Sequence, residues 1–196
     1  MLNFYSYMTD YQKSSEKMSD RLIYDTNMNT IEGWMSPMEL TILFDLAKNM
    51  RSIVEIGSWI GRSTHALLSG CPGTVYANDH FKGSPKERCS THVKAKDGRI
   101  YEEFMQNVGH FPNLEVMKMD SRSASRLINI VDMVFIDGAH DYDSVRTDLL
   151  CWSGKALKVL CGHDCCDEGV IKALEDVGIY YYGIGGTALW IQKRWR

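Results

Sequence analysis

The chain has 196 residues, of which 44% are hydrophobic and 24% charged, with a formal net charge of -3. This length suits one well-buried domain with a small appendage and is short for two. The composition excludes wholesale disorder, and the faintly acidic balance excludes a global attraction for nucleic acid or an anionic membrane.

No apolar run approaches the roughly 18 residues of a membrane span, and the amino terminus lacks the basic and apolar regions of a signal peptide, so a cytoplasmic location is expected. The six cysteines are irregularly spaced, which predicts free thiols rather than a disulfide scaffold. Cys161, His163, Cys165 and Cys166 match no paired Cys-x-x-Cys spacing, so a structural zinc site is not expected.

In chain order, residues 1–30 are polar, without a clean period, and read as an arm with surface to offer a second subunit of a homo-oligomer. Ser36-Pro37-Met38-Glu39 predicts a helix start, with Ser at the N-cap, Pro at the first position and Glu at the third, ahead of Leu40, Leu43, Phe44, Leu46 and Ala47 at helical spacing. From Arg51 onward, β-rich runs alternate with helical stretches, as in a parallel sheet covered on both faces. The runs are Ile53 to Ile56, Thr74 to Asn78, Leu114 to Met119, Val131 to Ile136, Leu157 to Cys161, Ile179 to Tyr182 and Ala188 to Gln192. The Gly183-Ile184-Gly185-Gly186 turn leaves no room for a crossover helix and predicts a final antiparallel hairpin. Between Phe81 and Arg99 the chain carries a local excess of four positive charges, which suits a lid over an anionic acceptor or a solvated loop.

The first run passes through Gly57-Ser58-Trp59-Ile60-Gly61 into a helix, so a ligand can approach the backbone and the unpaired N-H groups of the helix start. Asp79 follows the second run 22 positions after Gly57, near the roughly 20-residue offset of a ribose-binding carboxylate. A turn acid or helix cap is its alternative. Three more strands end in chemically capable residues: Asp120-Ser121, Asp137 through His140, and His163-Asp164. Carboxyl ends of strands in open α/β sheets converge on one crevice. Asp120 with Ser121 suits hydrogen bonds to a nucleobase, or capping of the next helix. Asp137, at the end of an apolar run, needs a cation, a metal or several donors. With His163 and Asp164 it could hold one divalent ion, and three unrelated caps are the alternative. His163 is equally a candidate general base.

Glu32-Gly33-Trp34-Met35, Val54 to Thr64, Phe135 to Tyr142, Gly162-His163-Asp164 and Thr187 to Ile191 together resemble the class I S-adenosylmethionine-dependent methyltransferases. Within them they are most similar to the branch with macrocin O-methyltransferase-like and cephalosporin hydroxylase-like proteins. The resemblance runs from about Ile31 to the end. It implies an α/β, Rossmann-like, doubly wound sheet of seven mostly parallel strands with an antiparallel C-terminal strand, helices on both faces and an N-terminal helical arm. The division expected is an arm or cap over 1–35 and a methyltransferase domain over 36–196.

The resemblance also implies the cofactor S-adenosylmethionine. Glu55, Gly57, Ser58 and Gly61, with Ser63, would surround its methionine portion, Asp79, with His80 beside it, the ribose, and Asp120 with Ser121 the adenine. Trp34 would close over the site, and Asp137 would lie near the transferred methyl. The catalytic residues expected are Asp137, His163 and His140, acting on a hydroxyl of a small-molecule acceptor. Metal-dependent relatives bind magnesium through the Asp137 position and an acidic pair on the next strand. Here the set is Asp137, His163 and Asp164, and the imidazole moves preference from magnesium toward manganese, iron or zinc, or toward no metal. Two other readings stay open. A nicotinamide-dependent oxidoreductase shares the glycine turn and ribose acid but not the Gly-x-Gly-x-x-Gly spacing, which Gly57 to Gly61 lack. A non-catalytic binding or assembly module could keep the same fold.

Overall fold

The computed structural model describes residues 30–84, 95 and 98–192. The expected arm up to residue 29 and most of the basic stretch 82–99 lie outside the described residues. Seven strands form one sheet: β1 (Ser52–Ile56), β2 (Thr74–Asn78), β3 (Leu114–Met117), β4 (Val131–Ile136), β5 (Ala156–Gly162), β6 (Tyr181–Gly183) and β7 (Trp190–Gln192), in the order β3-β2-β1-β4-β5-β7-β6. The first five are parallel, and β7 runs antiparallel to both β5 and β6. The hairpin therefore forms around the glycine-rich turn, and β7 inserts between β6 and the parallel strands.

Helices α1 (Pro37–Ala47), α2 (Arg62–Gly70), α3 (Ile100–Val108), α4 (Ser121–Ser125), α5 (Tyr142–Trp152) and α6 (Glu168–Val177) cover the sheet. Helix α1 starts as its sequence predicts: Ser36 Oγ accepts from Glu39 N, and Glu39 Oε2 accepts from Ser36 N at 2.7 Å.

Side chains alternate along each strand, so the core has two halves. On one face Ile53, Val75, Met133 and Phe135 pack with Leu40 and Leu43 of α1, Leu67 of α2 and Phe104 of α3. On the other, Val54, Val134, Ile136 and Leu160 pack with Ala124 of α4, Leu149 and Trp152 of α5, and Leu174 of α6. This alternation decides where the residues after the strands point. Glu55 shares the face of Ile53, beneath α2, whereas α4 and α5 enclose the opposite side of the strand ends.

At the centre, β1 and β4 come so close at their carboxyl ends that no side chain fits between them. Asp137 N donates to Ile56 O at 2.8 Å, and Gly57 N to Asn78 O at 2.9 Å. Gly57 has φ 89°, and a Cβ there would lie 2.1 Å from Asp137 O. Gly57→Ala is expected to cost roughly 3 kcal/mol through left-handed backbone strain and displacement of β4, read as a lower midpoint in urea denaturation.

Candidate active site

The carboxyl ends of β1 to β5 and the helices after them enclose a cavity of about 1000 Å³. Trp34, Gly57, Ser58, Ser63, Asp79, His80, Asp120, Ser121, Asp137, His140, His163 and Asp164 all line it. Two expected residues do not. Glu55 is fully buried under α2 and accepts from Ser63 Oγ at 2.6 Å and from Thr64 Oγ1. Burial raises its pKa to about 7, against the hydroxyls of Ser63 and Thr64. It therefore anchors the start of α2 and lies outside the cavity lining. Gly61 is the α2 N-cap, at φ 95°, and sits against Val108 and Phe104 of α3.

Asp79 organises the glycine-bounded loop. Its Oδ2 accepts from Trp59 N at 2.9 Å and its Oδ1 from Phe81 N at 2.6 Å. Trp59 is held at φ 48°, and its ring tilts against Trp34 at a centroid distance of 5.8 Å. Trp34 is 64% exposed, so it stands at the cavity mouth and not in the core. Arg62 fixes its segment, donating through Nε to Met35 O at 2.9 Å and through Nη1 to Ile31 O. Ile31 and Met35 are buried, so the residues before α1 are packed from position 31. His80 Nδ1 accepts from Lys82 N at 3.0 Å.

Asp120 caps α4, accepting from Ser123 N at 2.9 Å, and that bond lowers its pKa. The capping alternative is thus present, on a residue that also lines the cavity. Ser121 Oγ accepts from Trp152 Nε1 at 2.8 Å, which ties the α4 start to α5.

The ends of β4 and β5 and helix α1 assemble an acid and imidazole cluster. His163 Nε2 lies 3.2 Å from Glu39 Oε1, and its Nδ1 lies 3.1 Å from Asp164 Oδ2 and 3.8 Å from Asp137 Oδ1. His140 Nε2 lies 2.9 Å from the same Asp164 oxygen. Glu39 Oε1 also accepts from Ala188 N at 2.7 Å, so one carboxylate joins α1, β5 and the final hairpin. Burial alone would lower the pKa of His163, but Asp164, Asp137 and Glu39 outweigh it and raise the value to about 9. Burial pushes Asp137 up to about 8 against the pull of His163. Asp164 would also rise on burial, yet His140 and His163 hold it well below the usual carboxylate range.

Asp137, His163 and Asp164 each present one ligand atom, all within 4.8 Å of one another. The sequence points to these three; the structure adds Glu39 beside His163, and Trp59, Arg62 and Asp148 on the cavity wall. Glu39 was legible only as a capping residue. Asp148 carried a signal, a carboxylate on the helical face that also buries Val145, Leu149 and Trp152.

A protein family described as a methyltransferase domain matches residues 54–165. No curated protein matches the chain. Among solved structures, an O-methyltransferase from Bacillus cereus in complex with SAH superposes with a TM-score of 0.61 at 16% identity, covering 94% of this chain and 97% of that one. The SAH-bound Podospora anserina methyltransferase PaMTH1 gives 0.61 at 13% identity, covering 94% and 96%. The Streptomyces achromogenes O-methyltransferase TomG, involved in tomaymycin synthesis and solved with SAM, gives 0.56 at 14%, covering 85% and 88%. At these identities the likeness is one of fold.

His163 and Asp137 both have raised values, so the folded state binds more protons than the unfolded state through the window from His163's ordinary 6.5 to about 9. Stability is accordingly expected to fall as pH rises from 6.5 to 9, by roughly 1–3 kcal/mol. Asp164 has the opposite sign and contributes stability that is lost only on acidification below its ordinary range. Urea midpoints across this pH range should show the slope in the wild type and lose it in an Asp137→Asn/His163→Gln double variant.

Proposed function

The chain belongs to the methyltransferase-domain family and is a class I S-adenosylmethionine-dependent methyltransferase, and we propose that it methylates a hydroxyl group of a small molecule. The observation that carries this reading is the convergence of the Gly57 loop, Asp79, Asp120-Ser121 and the Asp137–His140–His163–Asp164 cluster on one cavity. Its volume is at the upper end of the range for ligand pockets, which leaves room for an acceptor beside a cofactor. The reported ligands of the structurally similar O-methyltransferases support S-adenosylmethionine as that cofactor. Placement in the macrocin-like branch rests on the five sequence segments and belongs to the same proposal, as does the residue-by-residue assignment.

S-adenosylmethionine held in this cavity would supply a methyl group on sulfonium sulfur for in-line transfer to the acceptor oxygen, with S-adenosylhomocysteine as the leaving product. The protein's part is to align the hydroxyl and remove its proton. His140 suits that task. It lines the cavity with 40% of its side chain exposed, and Asp164 Oδ2, 2.9 Å from its Nε2, orients the ring for proton transfer. His163 is less suited, because both of its ring nitrogens face carboxylates and only 8% of its side chain is exposed. Its positive charge instead balances Asp137, Asp164 and Glu39.

The donor set also fits a divalent ion, magnesium or manganese. Asp137, Asp164 and His163 Nδ1 would hold it, with Nε2-H of His163 directed at Glu39, the arrangement in which a carboxylate orients a metal-bound imidazole. Bound there, it would lower the pKa of the acceptor hydroxyl, and the nitrogen ligand favours manganese over magnesium. An anionic acceptor is suggested by the basic composition of residues 82–99.

Calorimetry should show binding of S-adenosylhomocysteine and none of NAD; the reverse would favour the oxidoreductase reading, and binding of neither the assembly-module reading. With an acceptor found by screening hydroxylated compounds against methyl-labelled cofactor, His140→Ala should lower kcat by roughly 10²–10⁴ with S-adenosylhomocysteine affinity nearly unchanged. Loss of turnover on chelation, restored by manganese, would assign proton activation to the ion; turnover that survives chelation but not His140→Ala would assign it to the imidazole.

A further inference from the structure

The side of the cavity opposite the acid and imidazole cluster is bounded by the start of α4 and the first turns of α5. There Met119, Asp120, Ser121 and Arg122 face Ser144, Thr147 and Asp148. Asp148 stands out among them. It lies on the buried stripe of α5 with Val145, Leu149 and Trp152, is only 7% exposed, and still contributes to the cavity wall. Its Oδ2 lies over Gly138, where a Cβ would meet it at 3.4 Å, which places the carboxylate beside the end of β4.

A buried carboxylate needs several donors, and among the described residues the Ser121 hydroxyl is the donor beside this one. Burial raises its pKa to about 6; the Ser121 hydroxyl favours the charge, and Asp141 opposes it. Ser121 is itself oriented from behind, since its Oγ accepts from Trp152 Nε1 at 2.8 Å, so its proton is directed away from the indole. The indole, the hydroxyl and the carboxylate thus form a row that ends in an acceptor-only group at the cavity wall. Such a group selects a ligand that presents N-H and disfavours one that lacks it.

Resting on the reading of this cavity as an S-adenosylmethionine site with Asp120-Ser121 at the adenine, we propose that Asp148 is the specificity-determining residue that accepts from the exocyclic amine of the nucleobase. Asp120 and Ser121 are occupied in capping α4 and linking it to α5, so they set the walls of the base pocket while Asp148 reads the base. Removing the amine from the ligand, or the carboxylate from the protein, deletes the same interaction.

Calorimetry of the full chain with S-adenosylhomocysteine and with its 6-deamino analogue, which carries purine in place of adenine, tests this. Wild type should bind the amine-bearing ligand roughly ten-fold or more tightly. Asp148→Ala should bring the two affinities to within about two-fold of each other, chiefly by weakening S-adenosylhomocysteine. Equal wild-type affinities for the two ligands overturn the inference and leave the cofactor reading standing. A preference that persists in Asp148→Ala also overturns it and makes Asp148 structural. Failure of wild type to bind either ligand removes the cofactor reading itself and the inference with it. The wild-type comparison needs no variant, so it stands even where Asp148→Ala does not fold.

Discussion

The site depends on the contact between the carboxyl ends of β1 and β4. Gly57 and Asp137 meet backbone to backbone, with hydrogen bonds running from β4 to β1 and from β1 to β2 and no space for a Cβ between them. That contact puts the glycine-bounded loop on one side of a gap and the Asp137 carboxylate on the other. The strands fan out from it, so Asp79 and Asp120 follow in order along one half of the sheet and His163 and Asp164 along the other. Because side chains alternate across the sheet, the acid and imidazole cluster falls on the α1 face and the proposed base pocket on the α5 face.

Electrostatic compensation explains the cluster's form. Three carboxylates, Glu39, Asp137 and Asp164, surround two imidazoles, and His163 contacts or closely approaches all three. Burying those acids without a cation would be prohibitively costly. A protonated His163 meets that need within the chain, and a divalent ion replacing its Nδ1 proton would meet it with the same residues. Either way Glu39 holds the ring. It receives N-H groups from Ser36 and Ala188 as well, so the helix cap, the hairpin and the imidazole are fixed together.

Much of this is legible in the sequence. The strand runs end in glycines and acids, and the rule that parallel strands converge at their carboxyl ends brought Gly57, Asp79, Asp120, Asp137 and His163 to one cavity. Strand limits were less readable: β3 stops at Met117, β5 begins at Ala156, and the hairpin strands are three residues each. The family resemblance implies Glu55 at the methionine portion of the cofactor. Its position in the alternation of β1 sends it under α2 instead, to the hydroxyls of Ser63 and Thr64. Glu39 reaches His163 across 124 positions of sequence, and no local pattern signals such a contact. Trp59 and Arg62 escaped for a similar reason, since their roles come from a strained turn and from carbonyls of a preceding segment.

The proposed cofactor site spans the strand ends, with the nucleoside on one side of the Gly57–Asp137 contact and the reacting carbon near Asp137 and His140. A crystal structure of the chain with S-adenosylhomocysteine tests it most directly. Ribose hydroxyls are expected on Asp79, the base between α4 and α5, and the sulfur turned toward Asp137. Density for the ligand elsewhere, or in this cavity with its sulfur turned away from the acid and imidazole cluster, would contradict this placement.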